Sequence, residues 1–202
     1  MPKVAWRGGT LLSPLPPALV TCGTMEKPNV LTVAWTGILC SDPPKTYVSI
    51  RPSRYSYDLI KQSGEFAVNL TTVPLVRAAD FCGVRPGREL DKFAAASLTP
   101  EPAAKLSCPL LAESPLALEC RVSRIIPLGS HDMFLADIVA VSVDPSLVDG
   151  AGKLHLERAQ LAAYAHGEYF SLGKRLGAFG FSVRKKKPPR AKTSGRKAGR
   201  KP

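Results

Sequence analysis

The chain has 202 residues, 45% of them apolar or aromatic, which suits one domain with a sizeable core. Its formal charge of +12 belongs to one end: residues 184–202 hold ten Lys/Arg and no acid, and the remainder sets 18 basic against 16 acidic residues, so a basic nucleic-acid-binding body is excluded as the source of the charge. No apolar run approaches the roughly 20 residues that span a bilayer and the N-terminus lacks an export pattern, so no membrane association and a cytoplasmic location are expected.

In chain order, residues 18–22, 30–36, 46–50 and 66–70 are short apolar or alternating runs separated by Gly, Pro, Asn and Asp, the pattern of strands in a barrel or sandwich. Between the last two, residues 53–63 carry Tyr57, Ile60 and Lys61 at helical spacing, with Ser53 and Ser56 as candidate N-caps and Gly64 as a stop. A second helix is expected over 75–81, and the proline-rich stretch 100–115 reads as irregular. Two longer strands, 117–128 and 133–143, flank Gly129-Ser130-His131-Asp132, which has the composition of a hairpin turn and sets His131 at its exit. A short helical patch is expected near 156–164. The basic tail has no side chain able to offset its ordering entropy and reads as disordered, giving a body over 1–183 and a tail over 184–202.

Several chemistries lack their residues. No GxGxxG follows a strand, the glycines near 167–175 have the wrong spacing for a phosphate loop, and there is neither an HExxH helix nor a GxSxG elbow, so no metal site is expected. Cys22, Cys40, Cys82, Cys108 and Cys120 are an odd set without a CxxC pair, which fits reduced, mostly buried thiols. What remains is one strand-to-helix junction bearing Ser49, Arg51, Ser53, Arg54 and Ser56. Guanidinium forks, hydroxyls and a helix N-terminus together can cage a phosphate monoester, although an ordinary capped basic turn has the same composition.

Along the chain, Asn29-Val30-Leu31-Thr32-Val33-Ala34-Trp35-Thr36-Gly37, Asp42-Pro43-Pro44, Ser49-Ile50-Arg51-Pro52-Ser53-Arg54-Tyr55-Ser56 and Gly64-Glu65-Phe66-Ala67-Val68-Asn69-Leu70 follow one another in order. Cys82-Gly83, Gly87-Arg88-Glu89-Leu90-Asp91-Lys92-Phe93, Leu118-Glu119-Cys120 and Gly129-Ser130-His131-Asp132 come after them. This succession resembles the flavin reductase-like, FMN-binding split barrels, and most of all their flavoredoxin-type branch, over about residues 10–175. The resemblance implies a mainly β, six-stranded Greek-key split barrel with flanking helices, a homodimer and FMN in a groove. It implies that Thr32, Ala34 and Trp35 run along the flavin, that Ser49, Arg51, Ser53, Arg54 and Ser56 hold its phosphate, and that Asn69 and Lys92 add further polar contacts. His131 is implied on the ring or nicotinamide side, the one candidate near the chemistry. Thr32 and Ala34 also fit an ordinary strand, Asn69 a strand end and Lys92 an exposed loop.

Two activities follow from that resemblance: an NAD(P)H-dependent flavin reductase passing hydride from NADH or NADPH to the flavin, or a flavoredoxin-like carrier exchanging electrons with a redox partner protein. A third reading, from the tail alone, is a nucleic-acid-associated protein with weak contacts to acidic surfaces.

Overall fold

The computed structural model describes residues 1–184; the tail expected to be disordered lies, apart from Arg184, outside the described residues. Residues 1–172 form one compact unit. Residues 173–184 belong to a separate unit and run as extended chain into a single 3-10 turn, Phe181–Val183.

The compact unit is built on β1 (Ala18–Gly23), β2 (Pro28–Val33), β3 (Thr36–Ser41), β4 (Pro44–Ile50), β5 (Glu65–Leu70), β8 (Leu116–Pro127) and β9 (Asp132–Val143). They join in one antiparallel sheet in the order β2-β1-β5-β8-β9-β4-β3. This is a split barrel, as the resemblance implied, with one strand more than expected. The run 30–36 is interrupted at Ala34-Trp35, and the chain re-enters the sheet as β3. The break is anchored where the Ser49 amide donates to the Trp35 carbonyl at 2.9 Å. Strand β3 is not evident in the sequence because its side chains are mostly exposed and lack alternation.

Strand β1 is apolar on both faces except for the buried Thr21, because both its faces are covered. Val20 and Cys22 point into the barrel with Val33, Val48, Phe66, Cys120 and Phe134, while Leu19 faces α2 (Val76–Val84) together with Val30, Ala79, Cys82 and Phe93. Helix α1 (Tyr55–Ser63) closes one end of the barrel with Tyr57 and Ile60, and Gly64, at φ 68°, stops it by donating to the Ile60 carbonyl. Neither Ser53 nor Ser56 caps α1. Arg54 is the N-cap and offers no side-chain bond, because Ser56 lies inside the first turn with its hydroxyl turned into the protein.

The 100–115 stretch is largely irregular, with a two-residue ladder of β6 (Pro100–Glu101) and β7 (Leu110–Leu111). It is pinned by the fully buried Glu119, whose carboxylate accepts from the amides of Ala104 and Lys105 and from Ser142 Oγ. The hairpin turn between β8 and β9 is present, with Leu128 N donating to the His131 carbonyl at 3.0 Å and Gly129 at φ 99°. The helical patch expected over 156–164 survives only as the 3-10 turn Leu156–Arg158. Beyond it, His166 and Gly167, both at positive φ, turn β10 (Ala162–Ala165) back along β11 (Glu168–Ser171). That hairpin sets Tyr164 opposite Tyr169. Among the described residues no helix is long and apolar enough to cross a membrane.

Candidate functional site

Two strand ends that leave the sheet side by side create the site. After β2, residues Ala34 and Trp35 swing out of the ladder, and after β4 the chain turns through Arg51 into α1. The space between them is a cleft of about 390 Å³ lined by Thr32, Ala34, Trp35, Ser49, Arg51 and Arg54, with His131 on one side and Asp80, Gly83 and Val84 of α2 on another. Pro17 and the two hairpin tyrosines, Tyr164 and Tyr169, complete the lining. Helix α2 lies close on β2: Thr32 Oγ1 donates to the Ala79 carbonyl, and a methyl on Gly83 would stand 3.3 Å from Thr32 Cβ.

A second pocket of about 230 Å³ shares Leu31, Thr32, Arg51, Arg54 and Gly83 with the cleft, so the two adjoin. Its wall carries Ser53, Ser56, Arg85, Arg88 and Lys92. Arg51, Arg54 and Arg85 have no carboxylate within ion-pair distance among the described residues. Lys92 is only 5% exposed and its ammonium finds just the Cys82 carbonyl, at 2.8 Å. Burial holds the Lys92 pKa below the ordinary lysine value, and the nearby Arg54 cation pushes the same way. A buried ammonium without a counter-ion beside three unpaired guanidinium groups is unfavourable in the empty protein and favourable once an anion arrives.

The hydroxyl of Ser56 has a fixed polarity. Asn29, 6% exposed, donates its amide to Ser56 Oγ at 2.6 Å and also contacts Cys22 Sγ. Having accepted that bond, Ser56 keeps one O–H to donate, with Cys22 Sγ on one side and the pocket it lines on the other as its acceptors. Gly87 sits directly against Asn29, where a methyl would come within 2.2 Å of Asn29 Oδ1.

At the other end, the rings of Trp35 and His131 approach to 4.4 Å between centroids at an interplanar angle of 51°. Burial depresses the His131 pKa below 6.5, with Arg51 and Arg54 adding to the effect, so this imidazole is neutral near pH 7. Ser130 Oγ lies 3.0 Å from its Nδ1.

Thus Thr32, Ala34, Trp35, Ser49, Arg51, Arg54 and His131 are gathered around the cleft and Ser53, Ser56 and Lys92 around the adjoining pocket. Asn69 is the exception. It is fully buried, its amide bonds Leu19 O and Thr21 Oγ1, and its carbonyl accepts from Leu111 N, so it stitches β1 to β7 and lines neither space. Lys92 is no exposed loop charge. Asn29, Asp80, Arg85, Tyr164 and Tyr169 carry no sequence signal that marks them as site residues. They arrive from β2, from α2 and its C-cap, and from the two strands of the β10–β11 hairpin, and only Asn29 lies inside a stretch that carried the resemblance.

A model of the family described as the flavin reductase like domain matches residues 11–173. An uncharacterised protein of Archaeoglobus fulgidus is 33% identical over 153 residues, 76% of this chain and 86% of that one. An NADPH-flavin oxidoreductase of Streptomyces viridifaciens is 31% identical over 135 residues, 66% of this chain and 69% of its own. Among solved structures, flavoredoxin of Desulfovibrio vulgaris (Miyazaki F) superposes with a TM-score of 0.83 at 31% identity, covering 90% of this chain and all of that one. With a matching family model over most of its length and relatives above 30% identity on the same split barrel, the chain belongs to the flavin reductase-like domain family.

Proposed function

We propose that the chain binds FMN and acts as an NAD(P)H-dependent flavin reductase. The observation that carries this reading is that the cleft beside Thr32–Trp35 shares Arg51 and Arg54 with a neighbouring pocket rich in cations, a pairing that suits a ring attached to a phosphate. Arg51, Arg54, Ser53 and the Ser56 hydroxyl would hold the phosphate, and the buried Lys92 ammonium on the same pocket wall would neutralise it. Ala34 and Trp35, which leave the β2 ladder, would offer the ring's polar edge their backbone groups apart from the Trp35 carbonyl, which the Ser49 amide already holds. When bound, the flavin supplies the hydride-accepting ring. Neutral His131, packed on Trp35, orients the incoming nicotinamide and carries no charge that would repel or attract it. The similarity to the NADPH-flavin oxidoreductase supports a nicotinamide donor.

Similarity to flavoredoxin supports a second reading, an electron carrier that keeps its FMN and trades electrons with a partner protein. Stopped-flow mixing of the FMN-loaded protein with NADH and with NADPH decides between them. Rapid bleaching of the flavin absorbance with either nucleotide is expected; no bleaching with both refutes the reductase. We also infer a homodimer, since β3 at the end of the sheet order leaves Ile38 and Leu39 exposed, an apolar edge that a second copy would cover.

A further inference from the structure

The first turn of α1 serves two neighbourhoods. Ser56 lines the anion pocket, and the next residue, Tyr57, turns into the core at 7% exposure. Its ring meets Phe134 edge-on, at 5.2 Å between centroids and 78° between planes, and its hydroxyl donates to the Asp132 carboxylate at 2.6 Å. One side chain thus grips two residues of β9, alternate positions on one face of the strand. His131 immediately precedes them, and alternation turns it the other way, into the cleft and against Trp35. Asp132 opens the strand, opposite Ile50 of β4 and Pro127 of β8, so it is the last point where the sheet holds the hairpin before its turn.

Packing against Phe134 needs only a ring, and a phenylalanine would supply one. The hydroxyl adds a single bond to a half-buried carboxylate that has no cation within ion-pair distance among the described residues. Beyond Asp132 the turn closes on the bond from Leu128 N to the His131 carbonyl, while Leu128, Gly129 and Ser130 are exposed and give it no packing. We infer that Tyr57 is a positioning residue: its hydroxyl, through Asp132, holds the start of β9 so that His131 stays packed on Trp35 in the cleft. Because the same helix turn carries Ser56, the bond also ties the His131 side of the cleft to the anion pocket. The effect on turnover rests on the reading of His131 as the guide for the nicotinamide.

The test uses the full chain with Trp6→Phe, which leaves Trp35 as its single tryptophan. A protonated imidazole in ring contact quenches indole emission. The flavin-free protein should therefore dim as pH falls through the His131 pKa, which burial and the Arg51 and Arg54 cations hold below 6.5. With Tyr57→Phe the pH-dependent change is expected to shrink about twofold or more and its midpoint to move up toward 6.5, as the imidazole leaves its contact and gains water. Asp132→Ala should do the same from the other partner, and Asp132→Asn, which keeps a carbonyl acceptor for the hydroxyl, should keep the native amplitude. In the FMN-loaded protein, Tyr57→Phe should raise KM for the nicotinamide nucleotide about tenfold, the scale of one hydrogen bond, with FMN affinity within about threefold of native. An unchanged emission profile in a Tyr57→Phe chain that melts cooperatively, or equal losses of FMN and nucleotide, would overturn the positioning role and leave the hydroxyl a contact of the fold. If neither NADH nor NADPH bleaches the native flavin, the reductase reading fails, and the emission profile alone decides the role of Tyr57.

Discussion

Replacing Lys92 with methionine separates the cost of the site from its use. Methionine fills nearly the same space without a charge, so the substitution removes the buried ammonium and leaves the packing against Cys82 and Phe93. In the flavin-free protein the Cys82 carbonyl loses its donor, at about 1 kcal/mol, while the penalty of holding an uncompensated cation at 5% exposure disappears. The melting temperature should therefore stay level or rise, at roughly 2–4 °C per kcal/mol for a chain of this size. FMN affinity should fall by a charge-assisted hydrogen bond, ~1.5–3 kcal/mol or about tenfold to 150-fold, and riboflavin, which has no phosphate, should bind as before. The depressed pKa adds a pH signature. The unfolded chain holds its lysine proton up to about the ordinary 10.5, so between the lowered folded pKa and that value native stability climbs with pH, a climb that Lys92→Met lacks. Calorimetric melts and flavin titrations on one pair of proteins read all of this. A variant that binds FMN within threefold of native, or loses riboflavin as strongly as FMN, would refute the assignment of Lys92 to the phosphate.

Four further outcomes follow, three from the site and one from the exposed edge of β3. Asn29→Ala should weaken FMN three- to tenfold and lower stability by about 1–3 kcal/mol, since buried Ser56 Oγ loses its donor and the side chain its fixed position on the pocket wall; denaturant melts and titration check it. Saturating inorganic phosphate should raise the His131 pKa in an NMR titration, because an anion beside Arg51 and Arg54 offsets two of the causes that depress it. An unmoved pKa would place the anion elsewhere. In the anion-free protein the same residue costs stability as pH falls below 6.5 through its folded pKa, and His131→Gln should flatten that decline in a series of melts. Ile38→Asp with Leu39→Asp should yield a monomer by sedimentation if β3 is the edge that a second copy covers, and an unchanged mass would move the interface to another face.

How legible the site is in the sequence depends on how local it is. Ser49, Arg51, Ser53, Arg54 and Ser56 fall within eight residues on one strand-to-helix junction, so strand alternation and helix-end chemistry suffice to group them. Their detailed roles are less legible. Ser56 reads as a cap, yet a bond to Asn29, 27 residues away, draws it into the first turn instead. Asn69 is misread because β5 is covered on both faces, leaving no polar side to say which way each residue points, and it points at the β7 loop rather than the cleft. Lys92 is reached only through resemblance, since nothing local reveals that a lysine in an acidic-basic stretch will be buried under α2. Asp80, Tyr164 and Tyr169 meet the cleft, and Arg85 the adjoining pocket, through tertiary packing alone, and β3 is hidden by the exposure of its own apolar residues.

On the proposed reading, this split barrel holds FMN by its phosphate. Isothermal titration of the flavin-free protein with FMN and with riboflavin tests it in a single experiment: one FMN per chain, bound at least tenfold more tightly than riboflavin, is expected from the cations around Ser56. Absence of FMN binding, or equal affinity for the two flavins, would contradict it.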